Sequence, residues 1–171
     1  MKLCLIVYYS RTGATEKVAS ALAQACGADL EQIREIRPRR GITGYLHSAW
    51  QALRGAPAEI ALPRHHPADY PVIVLGTPVW GGHLSAPMRS YILQQREHFR
   101  RIGLFCTVGD SGGEEVLSAM AAMCNKLPVA SLSLHQSDVL SGRHATALAD
   151  FANQLVTVQH DEQEAAPAGP T

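Results

Sequence analysis

The chain of 171 residues has no excess charge of either sign: fifteen Lys and Arg balance fifteen Asp and Glu. Without a basic excess, a nucleic-acid partner is not expected. Without an acidic one, the field by which some small carriers steer their partners is missing too. Paired cysteines are also absent. Cys4, Cys26, Cys106 and Cys124 stand far apart with no CxxC spacing, which argues against a disulfide framework and a zinc site. No apolar run approaches the roughly 20 residues of a membrane span. The short run after Met1 passes into Tyr8-Tyr9-Ser10-Arg11 with no small-residue cleavage site. A cytoplasmic chain without a membrane span is the expectation.

What is present is enough apolar matter for one core: 46% of residues are hydrophobic and 18% charged. Short apolar runs alternate with longer helical patterns, the mark of parallel βαβ units. Residues 3–9 read as a strand buried on both faces. Residues 15–26 read as a helix with Val18, Ala19, Leu22, Ala25 and Cys26 on one stripe, closed by Gly27. An edge strand is expected over 30–36, with Ile33 less in phase. A looser stretch over 38–71, broken by prolines, contains a possible short helix at 45–53. Further strands are expected over 72–75, 102–108 and 129–134, and helices over 87–100, 114–125 and 145–158. The pattern predicts an α/β fold, a three-layer α/β/α sandwich on a five-stranded parallel sheet. One domain is expected over 1–158, with a disordered tail over 159–171.

In an open parallel sheet, ligands bind at the carboxyl ends of the strands. Three loops there carry chemistry. Ser10-Arg11-Thr12-Gly13-Ala14-Thr15 places hydroxyls and a glycine before a helix N-terminus, an arrangement suited to an anion such as phosphate. It lacks GK[ST] and GxGxxG, so nucleotide-triphosphate hydrolysis is disfavoured. An ordinary Ser/Thr cap remains the alternative. Gly76-Thr77-Pro78-Val79-Trp80-Gly81-Gly82-His83 presents a tryptophan flanked by glycines, a wall for a planar ligand unless Trp80 packs on a helix. Thr107-Val108-Gly109-Asp110-Ser111-Gly112-Gly113-Glu114 is the third loop, with backbone groups and polar tips for a ligand edge.

Together these loops resemble those of the flavodoxin-like family, the FMN-binding domains related to flavodoxins and to NAD(P)H-dependent flavin or quinone reductases. Residues 10–15 are similar to the family's phosphate loop, 76–82 to its second flavin loop and 107–113, more loosely, to its third. The resemblance implies the strand order 2-1-3-4-5 with FMN at the switch point, flavodoxin being a standard example of that order. It also implies that Ser10, Thr12, Gly13 and Thr15 hold the FMN phosphate, with Arg11 and Ala14 in the same loop and Arg11 turned to solvent. By the same likeness Thr77, Pro78, Val79, Trp80, Gly81 and Gly82 meet the isoalloxazine, Trp80 by stacking. Gly109, Asp110, Ser111 and Gly112 supply the third side.

Two features depart from electron-shuttle flavodoxins. The third loop has no aromatic residue, which leaves one ring face for a substrate or a partner subunit, and the chain is not acidic. Both favour an NAD(P)H-linked flavin or quinone oxidoreductase over a shuttle between redox partner proteins, while a non-redox scaffold is a third reading. Tyr45 and Trp50 in the 38–71 stretch offer a cover for the site or a homodimer contact. A tyrosine-phosphatase loop is disfavoured because six residues separate Cys4 from Arg11 and Cys4 falls within a strand. A receiver domain is disfavoured because Thr77 stands where its Asp is needed. The eight histidines lack a metal-ligand pattern, so no metal is expected, although His83 is a candidate catalytic proton donor beside the ring. The Arg34, Arg37, Arg39 and Arg40 run reads as a solvated edge that could also attract an NADPH phosphate.

Overall fold

The computed structural model describes residues 4–36 and 58–165, with 158–165 described by backbone alone. The elements are β1 (Cys4–Tyr8), α1 (Ala14–Cys26), β2 (Asp29–Gln32), β3 (Val72–Trp80), β4 (His83–Leu84) and α2 (Ala86–Gln95). They continue with β5 (Arg101–Val108), α3 (Gly113–Cys124), β6 (Pro128–His135), α4 (Gln136–Ser141) and α5 (Ala145–Ala165). The sheet order is β2-β1-β3-β5-β6, and β4 pairs only with β3. Those five strands are parallel throughout. With the short β4 set aside, the order is the 2-1-3-4-5 that the resemblance implied.

Strand alternation sorts the core into two layers. Leu5, Val7, Ile73, Leu75, Ile102 and Leu104 belong to one cluster with Met88 and Tyr91 of α2 and Val116 and Met120 of α3. Cys4, Ile6, Val72, Val74 and Phe105 belong to the other, with Val18 and Leu22 of α1 and Phe151 and Leu155 of α5. Both faces of β1 and β3 are therefore dry, as their unbroken apolar runs require. The α1 stripe holds at Val18, Ala19 and Leu22, but Ala25 is exposed and Cys26 half-buried. Gly27 closes the helix as expected, its N–H bonded to Ala23 O.

Several boundaries differ from the sequence reading. The strand expected over 72–75 continues to Trp80, so most of the expected loop 76–83 is strand, and only Gly81 and Gly82 turn. Gly76 and Pro78 suggested a break, yet both fit. Gly76 pairs with Phe105, whose ring fills the space of its missing side chain. The Gly76 carbonyl accepts Tyr9 N–H at 3.0 Å on the β1 side. Pro78, two residues on, turns its missing N–H to that same side, where β1 has already ended.

The edge strand is shorter than expected, and its phase is inverted: Glu31 and Ile33 are the buried positions, while Ile36 is 60% exposed. Beyond Gln32, the antiparallel bridge from Glu35 to Ile60 continues the edge. The helix expected over 45–53, with Tyr45 and Trp50, lies outside the described residues. α2 ends at Gln95 and passes into a 3-10 turn (Arg96–His98), short of the expected Arg100. α4 was not anticipated, and the backbone of α5 reaches Ala165, so the tail expected from 159 begins inside a helix.

Cys4 and Cys106 sit inside strands as free thiols, and Cys124 is buried at the end of α3. Burial pushes Cys4 up to about 12, and Cys106 and Cys124 each up to about 11, from an ordinary 9.0. For Cys106 the Ser133 hydroxyl partly offsets this, and for Cys124 Lys126 and Arg96 do.

Two predictions follow from this packing. A Cβ on Gly76 would lie 2.0 Å from Phe105 Cζ. Gly76→Ala should therefore destabilise the fold by about 1–3 kcal/mol in urea unfolding, the usual range for overpacking. Adding Phe105→Leu should recover part of that loss; if it recovers none, the ring is not what occupies the space. The second concerns pH. Raised thiol pKa values mean that the unfolded chain loses its protons first. The contribution of the neutral thiols is complete below the ordinary 9.0 and is lost as pH rises toward 11–12. The urea midpoint should fall between pH 8 and pH 10.5 by more in the native chain than in Cys106→Ala; parallel falls would contradict the assignment.

Candidate functional site

The site is built on a difference in strand length. β1 makes its last pairing at Tyr8 with Gly76, whereas β3 continues to Trp80. Above the end of β1 this leaves a recess between the start of α1 and the β3–β4 hairpin.

On one side, Ser10 Oγ accepts Gly13 N–H at 3.1 Å, and Gly13 stands before α1 with φ 95°. The first intrahelical bond is Lys17 N–H to Gly13 O at 2.9 Å, so the amides of Ala14, Thr15 and Glu16 have no partner within the helix. Orphan amides with the positive end of the helix dipole form an anion site. Thr12 is exposed, and Ser10 and Arg11 are half-buried. Thr15 is 2% exposed, and its hydroxyl lies 2.8 Å from that of Thr107 on β5. That bond fixes the first turn of α1 to the sheet, so Thr15 faces inward while its amide belongs to the helix end.

On the other side, Gly81 and Gly82 have φ 57° and 77° between the paired residues Trp80 and His83. Two left-handed residues in a two-residue loop make a type I′ hairpin, whose twist matches its strands and which a side chain at either position would strain. Trp80 is half-buried. Tyr9 meets it edge-on at 5.9 Å and 86° between ring planes, and the Arg11 guanidinium lies 6.0 Å from the indole centroid. The Tyr9 hydroxyl donates to Glu35 Oε1 at 2.5 Å. His83 stands directly across the hairpin from Trp80, so the two side chains share a face.

Thr77 has a different place from the other residues of this segment. It is 0% exposed, accepts Ser85 N–H at 3.1 Å and lies 3.0 Å from Ser85 Oγ. Ser85 Oγ in turn accepts Met88 N–H at 3.4 Å, capping α2. The Thr77 side chain thus pins β3 to α2 rather than lining the recess, and Pro78 and Val79 are buried beside it.

The third loop closes the arrangement. Gly109, Asp110 and Ser111 are exposed, and Gly112 precedes α3 with φ 91°. A Cβ on Gly112 would lie 3.1 Å from Gly82 Cα, so the second and third loops touch backbone to backbone. All three predicted loops therefore meet at one end of the sheet. Near them, the Tyr8 phenol is held above its usual pKa by burial first and then by Glu16. Sequence reasoning did not find Tyr9 or Glu35. Tyr9 read as the last residue of an apolar run, and Glu35 as a polar position near the end of the expected edge strand.

Among the described residues, no group of three or more His, Cys, Asp or Glu could hold a metal, and no helix is long and apolar enough to cross a membrane.

No family model matches the sequence. Solved structures do. The chain is similar to a flavoprotein in complex with FMN from Lactobacillus acidophilus, 22% identical, covering 82% of this chain and 98% of that one with a TM-score of 0.67. It is similar to oxidised flavodoxin 2 from Bacillus cereus, 16% identical over 91% of this chain and 98% of that one, TM-score 0.56. A WrbA-like flavodoxin from Agrobacterium tumefaciens is 17% identical over 90% and 96% of the two chains, TM-score 0.52. With these likenesses and five parallel strands in the order β2-β1-β3-β5-β6, the chain has the flavodoxin-like fold.

Proposed function

We propose that the chain binds FMN in this recess and works as a redox protein, with NAD(P)H-linked reduction of a flavin or quinone-type acceptor as its activity. One observation carries the reading. An anion-ready helix end, shaped by Ser10 and Gly13, lies beside a half-buried indole reached by Arg11 of the same loop. A ligand with a phosphate at one end and a planar ring at the other matches that pair of features. The fold it shares with a flavoprotein bound to FMN supports the choice of ligand.

The residues fit such a group. The amides of Ala14, Thr15 and Glu16, with the Ser10 and Thr12 hydroxyls, would hold the phosphate. Trp80 would bear the ring, and Gly81, Gly82 and the exposed 109–111 segment would lie at its edge. When bound, FMN supplies hydride and electron transfer that no side chain here can perform. The protein's part is to orient the ring and limit the approach of solvent. His83, on the Trp80 face of the hairpin, would hold or deliver a proton next to it.

The absence of an aromatic residue from Gly109-Asp110-Ser111-Gly112 supports an open ring face, and hence a substrate rather than a closed carrier. NAD(P)H, a redox partner protein and a second copy of this chain are the candidate occupants. The shuttle reading differs in one measurable respect, since a carrier does not oxidise NAD(P)H itself.

Absorbance titration of the purified chain with FMN should show saturable binding, followed by anaerobic bleaching on addition of NADPH. Binding without bleaching would favour the shuttle, and no binding would overturn both readings. Trp80→Ala should weaken FMN binding by roughly 1–3 kcal/mol, the range measured for aromatic stacking on nucleobases. Unchanged affinity would assign Trp80 to the scaffold alone.

A further inference from the structure

A cavity of about 140 Å³ opens at the sheet edge between β2, the 60–64 segment and α2. Ile33, Ile60, Pro63 and Tyr91 contribute to its walls, together with Leu62, which is 92% exposed. An engineered apolar cavity of about 150 Å³ binds benzene, so the volume suits one six-membered ring.

Gln32, Arg34 and Arg64 also line it, and two buried polar residues distinguish this space from an apolar void. Glu31 pairs with Val7 in register and shares its core-facing side of the sheet, where an aliphatic residue is the usual occupant. It is 4% exposed. Its Oε2 accepts Arg64 N–H at 3.3 Å and lies 2.5 Å from His65 Nδ1. Among the described residues its Oε1 meets Arg64 Nε at 3.9 Å, an ion pair beyond hydrogen-bond reach, and so keeps acceptor capacity.

Tyr91 lines the same cavity and is 1% exposed, and its hydroxyl has no hydrogen-bond partner among the described residues. Burial, and next the Glu31 charge, keep that phenol protonated and therefore a donor. A buried hydroxyl without a partner is unusual and costly.

Behind one wall thus stands a donor without an acceptor among the described residues, and at another a carboxylate oxygen without a hydrogen-bond donor. A carbonyl or an ether could answer only Tyr91, and an ammonium only Glu31. A hydroxyl answers both. We propose that this cavity is a binding site for a small monocyclic phenol, whose hydroxyl accepts from Tyr91 and donates to Glu31. Because the Tyr91 hydroxyl is shielded from solvent, binding includes a shift of that side chain toward the ligand.

The proposal stands apart from the FMN reading, since none of residues 10–15, 76–83 or 107–114 lines the cavity. The test is isothermal titration of the full chain with phenol, anisole and toluene. Phenol should bind saturably at one site, with anisole and toluene at least about tenfold weaker, because each leaves Glu31 or both groups unanswered. Tyr91→Phe should weaken phenol about five- to tenfold and leave toluene unchanged. Equal affinity for phenol and toluene, unchanged phenol affinity in Tyr91→Phe, or no saturable binding would overturn the proposal. If Tyr91→Phe does not fold, Ile60→Trp fills the cavity instead; it should abolish phenol binding, and retained affinity would equally overturn the assignment. FMN titration of the same samples keeps the two readings distinguishable, since loss of one type of binding does not entail loss of the other.

Discussion

β3 outlasts β1, and the recess depends on that mismatch. Tyr8 is the last residue of β1 to pair, while β3 keeps β5 at its side through Pro78 and then folds back as a hairpin. α1 starts soon after β1 stops, and Trp80 ends the longer β3 beside it. If the two strands were equal in length, the hairpin would not rise beside the loop.

The recess is held by bonds that face away from it. Thr15 joins Thr107 beneath the start of α1, and Thr77 joins Ser85 behind the hairpin. Gly82 touches Gly112 where a side chain would force the loops apart. These contacts are buried or made by backbone, so they fix the positions of exposed amides and of one indole without occupying the open side. Such a frame can receive a ligand with little rearrangement, because most of the ordering has already been met by folding. Arg11 stands on one side of the frame, and a planar ligand stacking on that face of Trp80 would compete with its guanidinium.

Much of this was legible in the sequence, for identifiable reasons. β1, β5 and α3 were legible because continuous apolar runs and helical stripes are strong signals, and the three loops followed once strand ends were placed. The end of β3 was not. Gly76 and Pro78 are ordinary breakers, and only the three-dimensional neighbourhood makes them strand residues: a phenyl ring over one and a vacated strand side beside the other. β2 was misread in phase because Glu31 takes a core-facing position that alternation assigns to an apolar residue. Its tolerance depends on Arg64 and His65, more than thirty positions away. Thr15 and Thr77 looked like ligand-facing hydroxyls because a sequence shows residue type but not the direction of a side chain.

The balanced net charge acquires a more local meaning in the fold. Charge neutrality belongs to the whole molecule, whereas a ligand meets the field of a few groups within about a Debye length. At the recess these are the amides of α1 and Arg11, opposed by Glu16 in the first helical turn and by exposed Asp110. A fixed dipole end and one guanidinium suffice to attract a single phosphate, and the two carboxylates limit how far positive potential spreads. At the sheet edge one carboxylate is drawn into the core, hydrogen-bonded on one oxygen and ion-paired with Arg64 on the other. The same zero sum therefore contains an anion-ready helix end and a buried carboxylate, and a ligand at either would meet the local groups rather than the total.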